Sequence, residues 1–350
     1  MKIGIDISPL SSGHKVRGVG FYLVHLKDAL LKYYPEQEYV FFQSSKEIPR
    51  NIDVIHYPYF DPFFLTLPIT RWDKTVVTVH DLTPLVLKNE FPIGMKGFVK
   101  WHIQRLLLKS VRSIITDSEN SKKDIIKLVG VPPNKVTVTY LAAGEEFKRL
   151  MTPDKGLMIK KKYDLPEKFA LYVGDVTPNK NVPNIMKACI QAQIPLVMVG
   201  KALTEDLYDK ENLWNADLVK AQLLAQENKQ IHMLGFVSSE DLVMLYNLAQ
   251  LAVLASRYEG FGLPILEAMA CGCPVVTSRA GSLEEIAGDG AYFVDPQNVN
   301  SIAQGIIAVW NNPTLQKEIQ EKGLQQAKKF SWKQTATDTI QAYKDVLQEK

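Results

Sequence analysis

Short apolar runs alternate along the whole chain with segments whose apolar residues recur every three or four positions. The runs at 2–6, 39–43, 54–57, 75–80, 113–116 and 135–140 mostly lack strict alternation, as strands covered on both faces do. Further runs of this kind lie at 170–174, 195–200, 230–235, 251–255, 274–277 and 292–294. Between them the helical period is plain at 19–33, "VGFYLVHLKDALLKY", and returns at 118–129, 182–191, 239–248, 264–271 and 301–311. The helix at 118–129 opens on "SENS", with Ser and Asn as caps, and stops at Gly130 with prolines beyond. Alternating β and α segments predict parallel sheets joined by crossover helices. At 350 residues the chain exceeds what one core usually holds, so the pattern predicts two doubly wound domains.

The first domain is expected over 1–155 and the second over 156–334. The stretch 145–166, charged and carrying Gly156 and two prolines, is expected as the hinge. A helical segment at 335–347, within a tail of 335–350, has no strand after it; it either packs on its own domain or crosses back to the first. Two such domains would face each other across a cleft at the carboxyl ends of both sheets, where open α/β folds bind ligands. Functional residues are therefore expected just after strands.

Composition changes this picture little: 46% of residues are hydrophobic and 23% charged. A net charge of +3 argues against a nucleic-acid partner, which would call for a clustered basic face. Cys189, Cys271 and Cys273 make neither a disulfide framework nor a zinc spacing, which suits a reducing cytoplasm. The start, "MKIGIDISPL", is too quickly acidic for a signal peptide, and nothing approaches the roughly 18 to 20 apolar residues of a membrane span. The expectation is a cytoplasmic protein, peripheral at most to the inner face of the plasma membrane. In "MKGFVKWHIQRLLLKSVR", Lys96, Lys100, Arg105, Lys109 and Arg112 mix with Phe98, Trp101 and Leu106. It is either an amphipathic helix touching anionic lipid or an ordinary surface helix with a basic outer face over an apolar inner one.

The densest chemistry lies in "RYEGFGLPILEAMACGCPVV", residues 257–276. Gly260 and Gly262 let the backbone turn tightly and approach a ligand. Pro264 suits a first helical turn, whose free N–H groups and positive dipole end attract a phosphate. Glu259 lies in the loop and Glu267 about one turn into the helix; as carboxylates they can grip hydroxyl groups. A nucleotide sugar, with phosphates between two sets of hydroxyls, would use all three features. The plainer alternative is an acid at a strand end and a solvated or capping one.

The longer stretch "SRYEGFGLPILEAMACGCPVVTS" resembles the signature of family 4 retaining glycosyltransferases (group 1 glycosyltransferases). The likeness extends to "RGVGFYLVHL", "VVTVHDLTPL", "IITDSENSKKDI", "LYVGDVTPNKN" and "SWKQTATDTIQAYKDVL". It implies the GT-B architecture, two facing Rossmann-like domains with the acceptor side first and the donor side second. It implies that His80 and Glu259 position the donor sugar, that Lys180 neutralises the diphosphate, and that Glu267 holds the ribose. Gly18, Gly20 and Gly174, with Gly260, Phe261, Gly262 and Leu263, would line the donor. It also implies retention by same-face displacement, and the sequence shows no enzymic nucleophile against that.

Each of these residues has a plainer alternative. His80 ends a strand, where a satisfied core histidine is common. Gly18 and Gly20 are a lone G-x-G, with Arg17 beside them, and Lys180 could be a surface lysine in a turn. Where many relatives place an arginine after the glycine, this chain has Asp175, so a two-cation clamp would need another cation. Ser278, Gly281, Ser282 and Glu285 would lie near the nucleotide, though capping explains Ser282 and Glu285 equally. Histidines 14, 25, 56, 102 and 232 read as structural.

No Asp-x-Asp triplet occurs, so neither a metal nor another cofactor is expected beyond the donor substrate, a GDP- or UDP-sugar. "VHDLTPL" with "TPNKN" looks most like bacterial mannosyltransferases of polysaccharide assembly. Mannose is thus the expected hexose, and a glycan or lipid-linked molecule the expected acceptor, selected by loops such as 61–71. Rival expectations are a nucleotide-sugar epimerase or phosphorylase of the same architecture, or a non-catalytic nucleotide-sugar-binding protein.

Overall fold

The computed structural model describes residues 1–11, 18–68, 74–150 and 153–348. Two compact units emerge: Met1–Val86, Ile93–Ala142 and Phe330–Lys350 form the first, and Leu87–Pro92 with Ala143–Lys329 form the second. Apart from the short excursion Leu87–Pro92, the chain leaves the first unit between Ala142 and Ala143 and rejoins it between Lys329 and Phe330; the sequence placed these passages at 155–156 and 334–335.

The first unit holds β1 (Lys2–Asp6), α1 (Gly18–Tyr33), β2 (Glu38–Phe42), β3 (Val54–Tyr57), β4 (Thr75–Thr78), α2 (Thr83–Val86), α3 (Met95–Ser110), β5 (Ser113–Thr116), α4 (Glu119–Val129) and β6 (Val136–Val138). Its strands pair in parallel in the order β2-β1-β3-β4-β5-β6. Every residue of β3 and β4 is buried, as a sheet covered on both faces requires. Helix α4 is capped by Ser118, whose hydroxyl accepts the N–H of Ser121, and ends at Gly130 in the left-handed region (φ 79).

The second unit holds α5 (Pro153–Lys162), β7 (Ala170–Val173), α6 (Val182–Ala192), β8 (Leu196–Val199), α7 (Ala216–Glu227), β9 (Ile231–Gly235), α8 (Ser239–Leu248), β10 (Leu251–Leu254), α9 (Leu263–Ala270), β11 (Val275–Ser278), α10 (Leu283–Ala287), β12 (Ala291–Val294), α11 (Val299–Trp310) and α12 (Pro313–Ala327). The strand order is β12-β11-β10-β7-β8-β9, again parallel throughout. All twelve expected strands are present, half of them ending a residue or two earlier. Helix α5 lies inside the stretch expected as a hinge, and α7 and α12 were not anticipated.

The last helix, α13 (Trp332–Gln348), belongs to the first unit. It buries Trp332, Ala336, Ile340 and Tyr343, one stripe at helical spacing. Trp332 stacks on His25 at 5.0 Å, Thr335 Oγ1 donates to Tyr140 O at 2.7 Å, and the Tyr343 hydroxyl meets His56 Nδ1 at 2.7 Å.

Helix α3 departs from the expected basic outer face. It turns Trp101, Leu107 and Leu108 inward, yet Met95, Phe98, Val99 and Leu106 are all half or more exposed on its outside. The neighbouring Phe64 and Leu65 are equally exposed. Among the described residues no helix is long and apolar enough to cross a membrane.

Candidate functional site

In the second unit the chain runs from β7 outward to β8 and β9, then returns to start again at β10, on the other side of β7. The loops leaving β7 and β10 therefore diverge side by side, which opens the crevice where such sheets take ligands. One loop carries Gly174, Asp175 and the single turn Pro178–Lys180; the other carries Ser256 to Gly262.

Lys180 bridges the two loops. Its ammonium lies 2.8 Å from Glu259 Oε2 and 2.8 Å from Oε1, and Ser256 Oγ donates to Oε1 at 2.7 Å. Glu259 is buried and Lys180 nearly so, so each charge depends on the other. Next to Lys180, Asn181 adopts a left-handed conformation (φ 59) that turns the chain into α6. The Asn181 amide donates to Ala255 O at 2.9 Å and Pro296 O at 2.7 Å, while its Oδ1 accepts from Arg257 Nε at 3.0 Å. The far end of that guanidinium reaches Glu90 Oε2 at 3.0 Å. Asn179 donates to Tyr258 O at 3.0 Å and accepts the Arg257 N–H at 2.7 Å, completing the stitching.

Glu259 is held from behind as well. A Cβ on Gly281 (φ 64) would sit 2.7 Å from Glu259 N, so only glycine lets the two backbones approach. Ser282 does not cap α10; its Oγ lies 3.1 Å from Glu259 O and 2.8 Å from Phe261 O. Ser278 Oγ donates to Ser256 O at 2.6 Å. The buried Gly260 and Phe261 lead to Gly262 (φ 105), and α9 begins at Leu263 with Pro264 in its first turn.

Glu267, on the buried side of α9, accepts the Tyr246 hydroxyl on Oε2 at 3.0 Å. Burial pushes its carboxyl up to about 7, against the opposing pull of the Tyr246 bond and with help from the charge of Glu146. Asp175 brings no positive charge; its carbonyl accepts the Tyr172 hydroxyl at 2.7 Å. Arg257 is the second cation of this loop pair, a residue the motif contained but sequence reasoning gave no role.

The remaining candidates lie in the first unit. His80 stands two residues past β4 and Asp117 one past β5, on strands paired with Thr78 opposite Ile115. His80 Nδ1 meets Asp117 Oδ2 at 2.7 Å and Nε2 meets Pro58 O at 3.2 Å, so both ring nitrogens are engaged. Burial, the largest single influence, opposes the imidazolium, but the charge and hydrogen bond of Asp117 together with Asp81 and Pro58 O outweigh it and hold the His80 pKa above its ordinary value. His56 differs: burial pushes it down to about 3, and it sits neutral between Tyr343 OH and Thr78 Oγ1, both at 2.7 Å. It is structural, as are His25 on Trp332 and His102, bonded to Phe98 O. Gly18 opens α1 with nothing within 4 Å of where a Cβ would stand, and Gly20 is buried two residues on. Arg17, His14 and residues 69–71 of the 61–71 loop lie outside the described residues. Among those described, no group of three or more His, Cys, Asp or Glu could hold a metal ion.

The chain has known relatives. The family profile "Glycosyl transferases group 1" matches residues 157–326, and "Glycosyltransferase Family 4" matches residues 9–142. The chain is 34% identical over 301 residues to O-antigen chain mannosyltransferase B of Escherichia coli, covering 83% of this chain and 75% of that protein. It is 30% identical over 298 residues to the serotype-specific mannosyltransferase WbdA of Escherichia coli, where 82% of this chain matches only 36% of the relative. In fold it is similar to a sucrose-phosphate synthase from Thermosynechococcus elongatus, with a TM-score of 0.76, 19% identity and 99% of each chain covered. Two parallel six-stranded α/β units of the GT-B class, matched along most of their length, show that the chain belongs to the family 4, group 1 glycosyltransferases and is a glycosyltransferase enzyme.

Proposed function

We propose that the protein transfers a hexose, mannose foremost, from a nucleoside diphosphate sugar to a glycan or lipid-linked acceptor in polysaccharide assembly, with retention of configuration. The observation that carries this reading is the pairing of Lys180 with the buried Glu259 at the switch point of the second sheet, one loop before the buried Glu267. A diphosphate arriving there offers Lys180 a second anion and frees Glu259 oxygens to accept sugar hydroxyls. Arg257 supplies the other positive charge that Asp175 does not. The N-terminus of α9, opened by Gly262 and Leu263, adds free N–H groups. Glu267 accepts from the ribose, Gly174, Gly18 and Gly20 let the main chain come close to the donor's diphosphate, and His80 orients the sugar. Charge stabilisation by these groups needs no metal, so we propose that transfer survives a chelator. Two relatives named as mannosyltransferases, at 34% and 30% identity, support mannose and hence GDP-mannose ahead of UDP-glucose.

The test is sugar transfer from each donor, paired with thermal shifts for GDP, UDP and ADP on the protein and on Glu267→Ala. A nucleotide at a hundredfold excess over Kd should add about 2.7 kcal/mol of stability, an effect the variant should lose. If no nucleotide shifts the protein, the donor site fails.

The same reading places the enzyme on the cytoplasmic face of the plasma membrane, where lipid-linked acceptors are within reach. Its support is the outer face of α3, a helix with Lys96, Lys100, Arg105 and Lys109 and no acidic residue. The buried Gln104 draws the loop carrying Phe64 against α3, its Nε2 lying 2.6 Å from Phe64 O, and Lys100 sits 5.1 Å over the Phe64 ring. Exposed apolar residues ringed by lysines suit anionic lipid. Vesicles containing anionic lipid should sediment the protein, and Leu106→Glu with Phe98→Glu should release it; equal sedimentation with neutral vesicles would refute the charge argument.

A further inference from the structure

We infer that Asp117 holds His80 as a standing N–H donor, so that His80 meets a substrate as a hydrogen-bond donor and never as a base. The argument begins with proton counting. Asp117 Oδ2, when ionised, and Pro58 O can only accept. With Nδ1 at 2.7 Å from the first and Nε2 at 3.2 Å from the second, one proton must lie in the Nδ1–Oδ2 bond and another on Nε2. Removing the second would set the Nε2 lone pair against the Pro58 carbonyl.

The enclosure makes that removal costly. Asp117 is buried, and its other oxygen, Oδ1, has no hydrogen-bond partner. Burial pushes the Asp117 carboxyl up and the His80 charge pulls it back, so the pair shares the Nδ1–Oδ2 proton with its charges compensated; deprotonating Nε2 would leave the pair with an uncompensated negative charge in a low-dielectric setting. The surroundings favour the same state. Asp81, adjacent in sequence, adds a further negative charge, and His56 across the sheet is kept neutral by burial. From α1, Tyr22 presents its ring edge-on at 4.7 Å, with its hydroxyl beside Thr78 Oγ1 at 3.1 Å. Asp117 thus acts through His80 as a positioning residue. On the glycosyltransfer reading, Nε2–H exchanges Pro58 O for a donor-sugar oxygen; this half of the inference rests on that reading and the protonation half does not.

The experiment is nitrogen NMR of the full chain labelled with [15N]histidine, with His80 assigned as the signal missing in His80→Gln, alongside pH–rate profiles. His80 should keep its Nε2 proton above pH 6.5, and Asp117→Asn should lower its midpoint by about one unit or more, a tenfold loss of proton affinity. The alkaline limb of kcat/KM should move down in pH by the same amount. A His80 midpoint at or below 6.5, or one that ignores Asp117→Asn, overturns the inference. The wild-type midpoint decides this even if the variant fails to fold. A midpoint that moves while the rate profile stays put overturns the donor role alone. Absence of sugar transfer by the wild-type protein counts against the glycosyltransfer reading and leaves the protonation result standing.

Discussion

A carboxyl group enclosed beneath a tyrosine hydroxyl, as Glu267 is beneath Tyr246, holds its charge at the expense of stability. Its pKa is raised from 4.5 to about 7, so the folded protein binds more protons than the unfolded chain between those values. Stability from this group is complete below pH 4.5 and is lost as pH rises towards 7. A shift of that size corresponds to about 3 kcal/mol. Glu267→Gln should therefore raise the urea midpoint at pH 8 and leave it nearly unchanged at pH 4.5, while nucleotide affinity falls; a variant no more stable at pH 8 would refute the burial argument. Lys180→Ala should do the reverse, costing about 3–5 kcal/mol because Glu259 would stay buried without its counter-charge. Adding Glu259→Gln should recover much of that stability but no activity, measurable as a double-mutant cycle. The motif exposed Glu259, Glu267 and Lys180 individually. It could not reveal that Lys180 and Glu259, 79 residues apart, touch, because that depends on β7 lying beside β10. Asp117 and Tyr246 carried no local signal; one reaches its partner across a strand pair, the other between helices.

Among elements, the loop from β10 to α9 is shaped from behind by the turn after β11. Gly281→Ala should push the Glu259 backbone outward, weakening nucleotide binding while the fold persists, readable as a reduced thermal shift with an unchanged circular dichroism spectrum. An unaltered shift would mean that the turn yields instead. Strands and capped helices were legible because their signals are local: buried apolar runs, Ser118 before α4, Gly130 after it. Helices α7 and α12 were not, and their burial explains why. Helix α12 buries only Ile319, Gly323 and Gln326, and α7 only Asp217, Leu218 and Ala221, so neither displays a continuous apolar stripe. In α3 the apolar residues surround the helix, and the sequence pattern could not say which side would face outward.

Over the whole molecule, periodicity gave the two-domain α/β class, but the strand orders, β2-β1-β3-β4-β5-β6 and β12-β11-β10-β7-β8-β9, arise from where crossovers reverse and leave no periodic trace. The return of α13 to the first unit was likewise one of two open alternatives. It ties distant chain segments through the Tyr343–His56 bond, so Tyr343→Phe should cost about 1–3 kcal/mol by leaving a buried ring nitrogen unpaired. Affinity for the free nucleotide should change little, since Lys180, Arg257 and Glu267, proposed to hold its diphosphate and ribose, lie in the second unit. That same helix also sets an order of events on the ribosome. The first unit is begun first but lacks its closing helix until residues 330–348 have been made. The second unit has by then been synthesised in full, reversing the usual N-terminal-first sequence of domain folding. A nascent chain ending at Lys329 and held on the ribosome by a fused linker long enough to clear the exit tunnel should resist protease over 143 onward and be cut within the first 142 residues, where apolar surface awaiting α13 would invite chaperones.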